Sequence, residues 1–313
     1  MATQFEARQS LGLPAAVTTR QGEREGSLCV PDLPADDYHA LLERQSCSML
    51  KPLLISPAHY LHQFLQRKPS SPAMDFGSLV HLLVLEPHRF PQHYAVVAAA
   101  GERLTPAERQ EARALYPGLQ VLTEVELHQA RQVADRVLQR SVRGRPFYRY
   151  VQEGQAELTF FYDDPVTGLA CRTRVDLWHP DALFDLKTTR HATVAEFARA
   201  GIALHYDLQA YMYCLADAMF HGRDSARDFV FLAVQSSQPH PVHLLAAGET
   251  FMANGQAKYS RAIALLKACM QTGYWPDNSA DEVLEIEPWQ AWGSGAPRLG
   301  EPGDSCIDTS TDA

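Results

Sequence analysis

Leu169 to Trp178 alternates with a period of two, placing Arg172, Arg174, Asp176 and Trp178 on one side of an extended run. Flanking runs of the same character predict strands at Glu157 to Tyr162 and Leu183 to Lys187. Asp163-Asp164-Pro165 and His179-Pro180-Asp181 supply the turns between them. Upstream the period lengthens. Asp36-Asp37 caps a helix through Tyr38, Leu41 and Leu42, a short helix covers Ser48 to Leu54, and Ser56-Pro57 opens another through Tyr60, Phe64 and Leu65. Ala73 to Leu85 reads as a strongly apolar helix whose interior polar groups are Asp75, Ser78 and His81. Thr105 to Arg140 is helical with a break at Pro117-Gly118. Further on come a helix from His205 to Phe220, strands at Phe229 to Gln235 and Val242 to Ala246, and a helix from Phe251 to Met270, before Trp275-Pro276 marks the chain leaving the domain. The pattern predicts an α/β fold: a central mixed sheet flanked by helices, with an added N-terminal helical part.

Residues 1–34 lack periodicity and are expected to be a disordered lead. Residues 35–276 would form the domain, and 277–313, rich in Gly, Pro, Ser, Asp and Thr, a mostly disordered acidic tail. With 46% hydrophobic residues, the 313-residue chain has enough apolar material for a full core. A net charge of −9 argues against a surface that coats nucleic acid as a whole, but allows a local basic channel. Arg131, Arg136, Arg140, Arg143, Arg145 and Arg149 form the one basic run, read either as a solvated helix face, the slightly favoured reading, or as the lining of such a channel. The six cysteines are scattered without a C-x-x-C pair, which suits reduced thiols and a cytoplasmic protein. No stretch approaches the ~20 apolar residues of a membrane span, so no membrane partner is expected.

The chemistry concentrates in Asp176 and in Asp185-Leu186-Lys187. On a strand Asp185 and Lys187 share a face while Leu186 points to a core, and a hairpin can bring Asp176 across to Asp185. Two close carboxylates resist joint ionisation unless a cation lies between them, and oxygen ligands suit Mg²⁺ or Mn²⁺. A lysine beside such an ion can orient or deprotonate water, which is the chemistry of phosphodiester hydrolysis. An Asp-x-Lys on a strand is by itself usually a charged surface, and His81 on an apolar helix is by itself usually a satisfied core residue. Gln209 and Tyr213, four apart on one helix, share a face.

Their order along the chain resembles the PD-(D/E)XK nuclease superfamily in its RecB-like branch, and specifically the RecE-type exonucleases (exonuclease VIII). Ser46-Cys47-Ser48-Met49-Leu50-Lys51 with Ser56-Pro57-Ala58-His59-Tyr60 is similar to the family's opening element. Met74 to His81 with Leu85-Glu86-Pro87 is similar to its histidine-bearing helix. Glu157, Asp176, Asp185 to Thr189 and Gln209 to Tyr213 follow in the family's order, so that the resemblance spans roughly residues 38–276. It implies that His81, Asp176, Asp185 and the backbone carbonyl of Leu186 hold a catalytic Mg²⁺, with Mn²⁺ as substitute. Lys187 would position and activate the attacking water. Glu157 would be an acidic residue near the metal that supports it. Gln209, Tyr213, Ser78 and Arg174 would face DNA, with Gly77 and Ser78 letting their helix approach closely.

The expected activity is a metal-dependent exodeoxyribonuclease on linear double-stranded DNA, running 5′ to 3′ and leaving 3′ single strands for recombination by annealing. Double-stranded DNA ends, a RecT-like single-strand annealing protein and a homo-oligomer, as a ring, are the implied partners. Two alternatives stand beside it: a RecB-like nuclease with endonuclease, flap or single-strand activity, and a catalytically idle DNA-binding or assembly module.

Overall fold

The computed structural model describes residues 18–65, 72–99, 101 and 103–279. In chain order these form β1 (Arg20–Gln21), β2 (Leu28–Val30), α1 (Ala35–Ala40), α2 (Cys47–Leu50), a 3-10 turn (Lys51–Leu54), α3 (Pro57–Leu65) and α4 (Pro72–Leu85). Then come α5 (Phe90–His93), β3 (Tyr94–Val97), α6 (Pro106–Leu115), β4 (Gln120–Thr123), α7 (Glu124–Gln139), β5 (Ser141–Val142), β6 (Arg145–Pro146) and α8 (Phe147–Glu153). The last part holds β7 (Gln155–Asp163), β8 (Ala170–His179), β9 (Ala182–Thr189), α9 (Val194–Ala203), α10 (Tyr206–Phe220), β10 (Phe229–Gln235), β11 (Val242–Ala246) and α11 (Glu249–Thr272).

Seven strands form one sheet in the order β1-β2-β7-β8-β9-β10-β11. It is antiparallel except for β9 and β10, which run parallel because two helices, α9 and α10, carry the chain between them. The helices lie on both faces, as the pattern predicts. Leu208, Met212, Tyr259, Ile263 and Leu266 of α10 and α11 pack on Leu183, Phe229 and Phe231, while Val80 and Val84 of α4 and Val133 and Val137 of α7 pack on Phe184, Leu186 and Leu232. Alternate residues of β9 and β10 therefore feed opposite cores. α7 starts where Thr123 accepts from Glu126 N–H and Glu126 reaches back to Thr123 N–H, and its buried Leu127, Ala130, Val133, Ala134 and Val137 recur at helical spacing.

Helices α10 and α11 touch at Gly255, where a Cβ would lie 2.1 Å from the Asp207 carbonyl oxygen. Backbone cannot yield as a side chain does, so Gly255→Ala is expected to destabilise the fold by about 1–3 kcal/mol, read as a lower urea midpoint at unchanged m-value.

The lead is the clearest departure from expectation. Residues 1–17 lie outside the described ones, but β2 pairs with β7, and Leu28, Val30 and Leu33 bury against Tyr38, Leu41 and Phe161. A three-residue strand is too short to show a period, and its pairing partner lies more than a hundred residues away. Helix α1 ends at Ala40, short of Leu41 and Leu42, and the helix expected over Ser48 to Leu54 is a helical turn followed by a 3-10 turn around Pro52. Pro117-Gly118 does break the long helical run, but a strand follows it, β4, which pairs in parallel with β3. Trp275 and Pro276 turn back onto α3: Trp275 stacks on Tyr60 at 5.7 Å, and Ala58 N–H donates to the Pro276 carbonyl at 3.1 Å. The expected tail falls outside the described residues from 280 onward. Cys29, Cys47, Cys171, Cys214 and Cys269 are free and buried. No helix among the described residues is long and apolar enough to cross a membrane.

Candidate active site

The site forms where the sheet comes apart. Leu177–Phe184, Trp178–Leu183 and His179–Ala182 are the bonded pairs of β8 and β9, and the next position along the register sets Asp176 opposite Asp185. There the ladder stops. Leu186 stays in register with Leu232 of β10, but with the β8 pairing ended its N–H donates to Asp176 Oδ2 at 2.8 Å. On the other flank of β8, the pairs Ala156–Leu177 and Leu158–Val175 bracket Glu157, which has φ of +50°. The alternation of side chains inverts across this point. Leu158 and Val175 pack under α10 and α11, whereas Ala156 and Leu177 pack in the opposite cluster. Trp178 consequently packs toward α10, its Nε1 donating to Asp217 Oδ1 at 2.8 Å, while Arg174 stacks on Tyr38. This corrects the expectation that Arg172, Arg174, Asp176 and Trp178 share one side.

A left-handed backbone at a residue with a Cβ is strained by about 1–2 kcal/mol, and such strain gathers where a side chain must be aimed. Of two variants that both lose the carboxylate, Glu157→Gly is therefore expected to be more stable than Glu157→Ala by about 1 kcal/mol, despite glycine's greater unfolded freedom; thermal melts compare them directly.

Glu157, Asp176 and His81 converge. His81 Nε2 lies 2.9 Å from Asp176 Oδ2 and Nδ1 lies 3.2 Å from Glu157 Oε1. One ligating atom from each of the three falls within 4.8 Å of the other two, so the donors are an imidazole nitrogen and two carboxylate oxygens. That set fits a divalent cation of the Mg²⁺ or Mn²⁺ kind, with the imidazole favouring Mn²⁺. The electrostatics show the strain of crowded acids. Burial raises Glu157 to about 7, against the pull of His81, and burial with the charge of Asp176 raises Asp185 to about 6. Burial would lower the His81 imidazole, but Asp176 and Glu157 outweigh it and hold it up at about 9. Asp176 is buried yet stays below the usual carboxylate range, because His81, Lys187 and the Leu186 N–H favour its charge.

Asp185 sits beside this triad. It is wholly buried; Lys187 Nζ lies 2.5 Å from its Oδ2, and Gln209 Nε2 donates to its Oδ1 at 2.5 Å. Burial would lower Lys187, but Asp185 and Asp176 override it and keep the side chain an ammonium above its ordinary range. Lys187 also lies over the Tyr206 ring at 5.1 Å. Tyr206 escaped the sequence reading although it stands one helical turn before Gln209, on the same face. Gln209 was expected to face DNA; its amide is turned to Asp185 instead.

These groups open on a cleft of about 640 Å³ that Ser78, Arg174 and Tyr213 also line, with the Leu186 and Thr188 positions at its edge. Ser78 is exposed, and Gly77 lets α4 approach β9: a Cβ there would meet Thr188 Oγ1 at 2.8 Å. Arg174 is committed to structure, donating to the Leu33 carbonyl at 2.6 Å and stacking on Tyr38 at 4.4 Å, so its contribution to the cleft is fixed positive charge. The basic run lies elsewhere. Arg143 pairs with Asp228 and Arg145 with Glu153, each at 2.5 Å, while Arg149 covers Tyr148.

A family model described as a PDDEXK-like domain of unknown function (DUF3799) matches residues 46–284, more than half of the chain. A crystal structure from Eubacterium rectale described as a "putative exonuclease" is similar with a TM-score of 0.55 at 13% identity, over 83% of this chain and 98% of that one. At that identity the likeness shows the fold. No curated protein matches the chain.

Proposed function

The chain belongs to the PDDEXK-like family DUF3799, within the PD-(D/E)XK nuclease superfamily, and from that membership we propose that it is a metal-dependent exodeoxyribonuclease acting on linear double-stranded DNA. The observation that carries the reading is the meeting of His81, Glu157 and Asp176 beside the Asp185–Lys187 pair at the parting of two strands. His81, Glu157 and Asp176 would hold a divalent ion, with Asp185 and the Leu186 carbonyl adjoining. When bound, such an ion activates water near neutral pH and stabilises charge on the phosphate.

The protein's own groups do the rest. Gln209 holds Asp185, Asp185 holds Lys187, and the ammonium of Lys187 faces the cleft where charge would build on a phosphate oxygen. As an ammonium Lys187 orients water and neutralises that charge; it acts as a base only after the pull of its two carboxylates is relieved. Ser78 and Tyr213 present hydroxyls to the same cleft for the DNA backbone. The finer assignment follows the likeness to RecE-type exonucleases: 5′ to 3′ polarity, 3′ single strands handed to a RecT-like annealing protein, and a homo-oligomeric ring. The free, buried cysteines suit a reducing, cytoplasmic setting.

The test is digestion of a linear duplex labelled at one 5′ or 3′ end, with Mg²⁺ or Mn²⁺, beside a closed circular duplex. Release of the 5′ label from linear DNA alone is the expected result. Cutting of the circle would establish the endonuclease alternative, and no cutting with either ion would leave an idle DNA-binding or assembly module.

A further inference from the structure

A second cleft, of about 1120 Å³, adjoins the catalytic one, and Thr188 lines both. Its rim carries Arg103, Arg109, Arg113 and Arg190. Arg109 is occupied, donating to the Val121 carbonyl at 3.1 Å and lying 3.6 Å from Glu126. Arg103, Arg113 and Arg190 are exposed and make no ion pair among the described residues. In a chain of net charge −9, three free arginines around one groove are a local field opposite in sign to the whole. The groove's acids are Asp75 and Glu126, and Glu126 is engaged by the Thr123 N–H at 2.9 Å and by Arg109.

The floor is apolar, with Phe76, the largely buried Tyr94 and Leu119. Gln129 and Gln238 stand around it with side-chain amides that make no hydrogen bond among the described residues, while Gln132 Nε2 meets His128 Nε2 at 3.1 Å. A cationic rim above an aromatic floor is the composition that takes a nucleic-acid strand with unstacked bases, since phosphates meet the rim and bases the floor. A duplex turns its bases inward and would leave the floor without a function. The order along the end of β9 supplies direction: Lys187 faces the catalytic cleft, Thr188 is shared, and Arg190, in the bend just past Thr189, stands in the groove, at most about 10 Å from Lys187 along the chain.

We infer that this groove binds single-stranded DNA continuous with the strand held at Lys187, so that the enzyme separates the strands at its active site and carries one of them over Thr188 onto Arg190, Arg103 and Arg113. The inference rests on the nuclease reading for the identity of the strand, but its binding is measured without cleavage.

Fluorescence anisotropy of a labelled single-stranded oligonucleotide and of a blunt duplex, in EDTA across a salt series, compares the wild type with Arg103→Ser/Arg113→Ser/Arg190→Ser; Arg190→Glu alone serves if the triple variant melts lower. Single-strand affinity is expected to fall at least tenfold, with the slope of log affinity against log salt shallower by about 2, since each lost phosphate contact removes about 0.7. Duplex binding should change much less. Unchanged single-strand affinity and slope overturn the groove even where the wild type cuts DNA. Equal loss on both substrates overturns the single-strand assignment in favour of a duplex backbone. Loss on the single strand by a protein that cuts nothing sustains the groove and removes the nuclease reading alone.

Discussion

Lys187→Ala is expected to give a folded protein that still takes up Mn²⁺ and cleaves DNA at least about 10³-fold more slowly, the scale of losing one positioned proton-transfer group or charge-stabilising donor. The Lys187 side chain is 18% exposed, clamped to Asp185 and lying over Tyr206, and it lines an open cleft, so water can fill the space that its truncation leaves. Asp185 then keeps Gln209 as its partner and, already raised to about 6, becomes neutral more readily instead of unfolding the protein. The donors of His81, Glu157 and Asp176 are untouched. Single-turnover digestion beside Mn²⁺ calorimetry separates the two effects. Wild-type turnover would remove Lys187 from the chemistry, and loss of Mn²⁺ heat would make it a support for the ion. Lys187→Arg should not rescue, because a planar fork does not replace a compact ammonium over the Tyr206 ring.

Asp176→Asn should abolish both Mn²⁺ binding and cleavage, the latter by at least about 10³-fold. Asp176 links the helix and both parted strands: it pairs with His81, receives the Leu186 N–H and faces Asp185 across the register. Asparagine keeps the shape and an acceptor for Leu186, so the parted strands survive and the melting temperature should move by only a few degrees. What disappears is the charge that pays for the ion. A variant that binds Mn²⁺ as tightly as the wild type would leave the ion to Glu157 and Asp185 and displace Asp176 from the donor set.

The legible part of the site was the part written in one stretch of chain. Asp185 and Lys187 share a face because strands alternate, and the hairpin that sets Asp176 against Asp185 is announced by His179-Pro180-Asp181. The less legible part depended on inversion of that alternation. Nothing in Gln155-Ala156-Glu157-Leu158 signals a left-handed residue, so Glu157 read as a supporting acid and appears instead as one of three converging donors. Gln209 was placed on the right helix, but which groups it and Tyr206 touch follows from how α10 crosses β9. The basic residues were legible as residues and misleading as a run: Arg143 and Arg145 end in surface ion pairs, while Arg103, Arg113 and Arg190 come from three separate segments.

By itself, the sequence determined the α/β class, the helices on both faces, the breaks at proline and glycine, and the order of the chemistry-bearing residues. Each of these depends on neighbours within a few positions, where periodicity and turn chemistry act. Only the tertiary structure decided the pairing of β2 with β7, the parting of β8 from β9 and the aim of Glu157. It also decided the placing of two clefts on either side of Thr188. Those features are set by contacts between segments far apart in the chain, whose burial outweighs local preference.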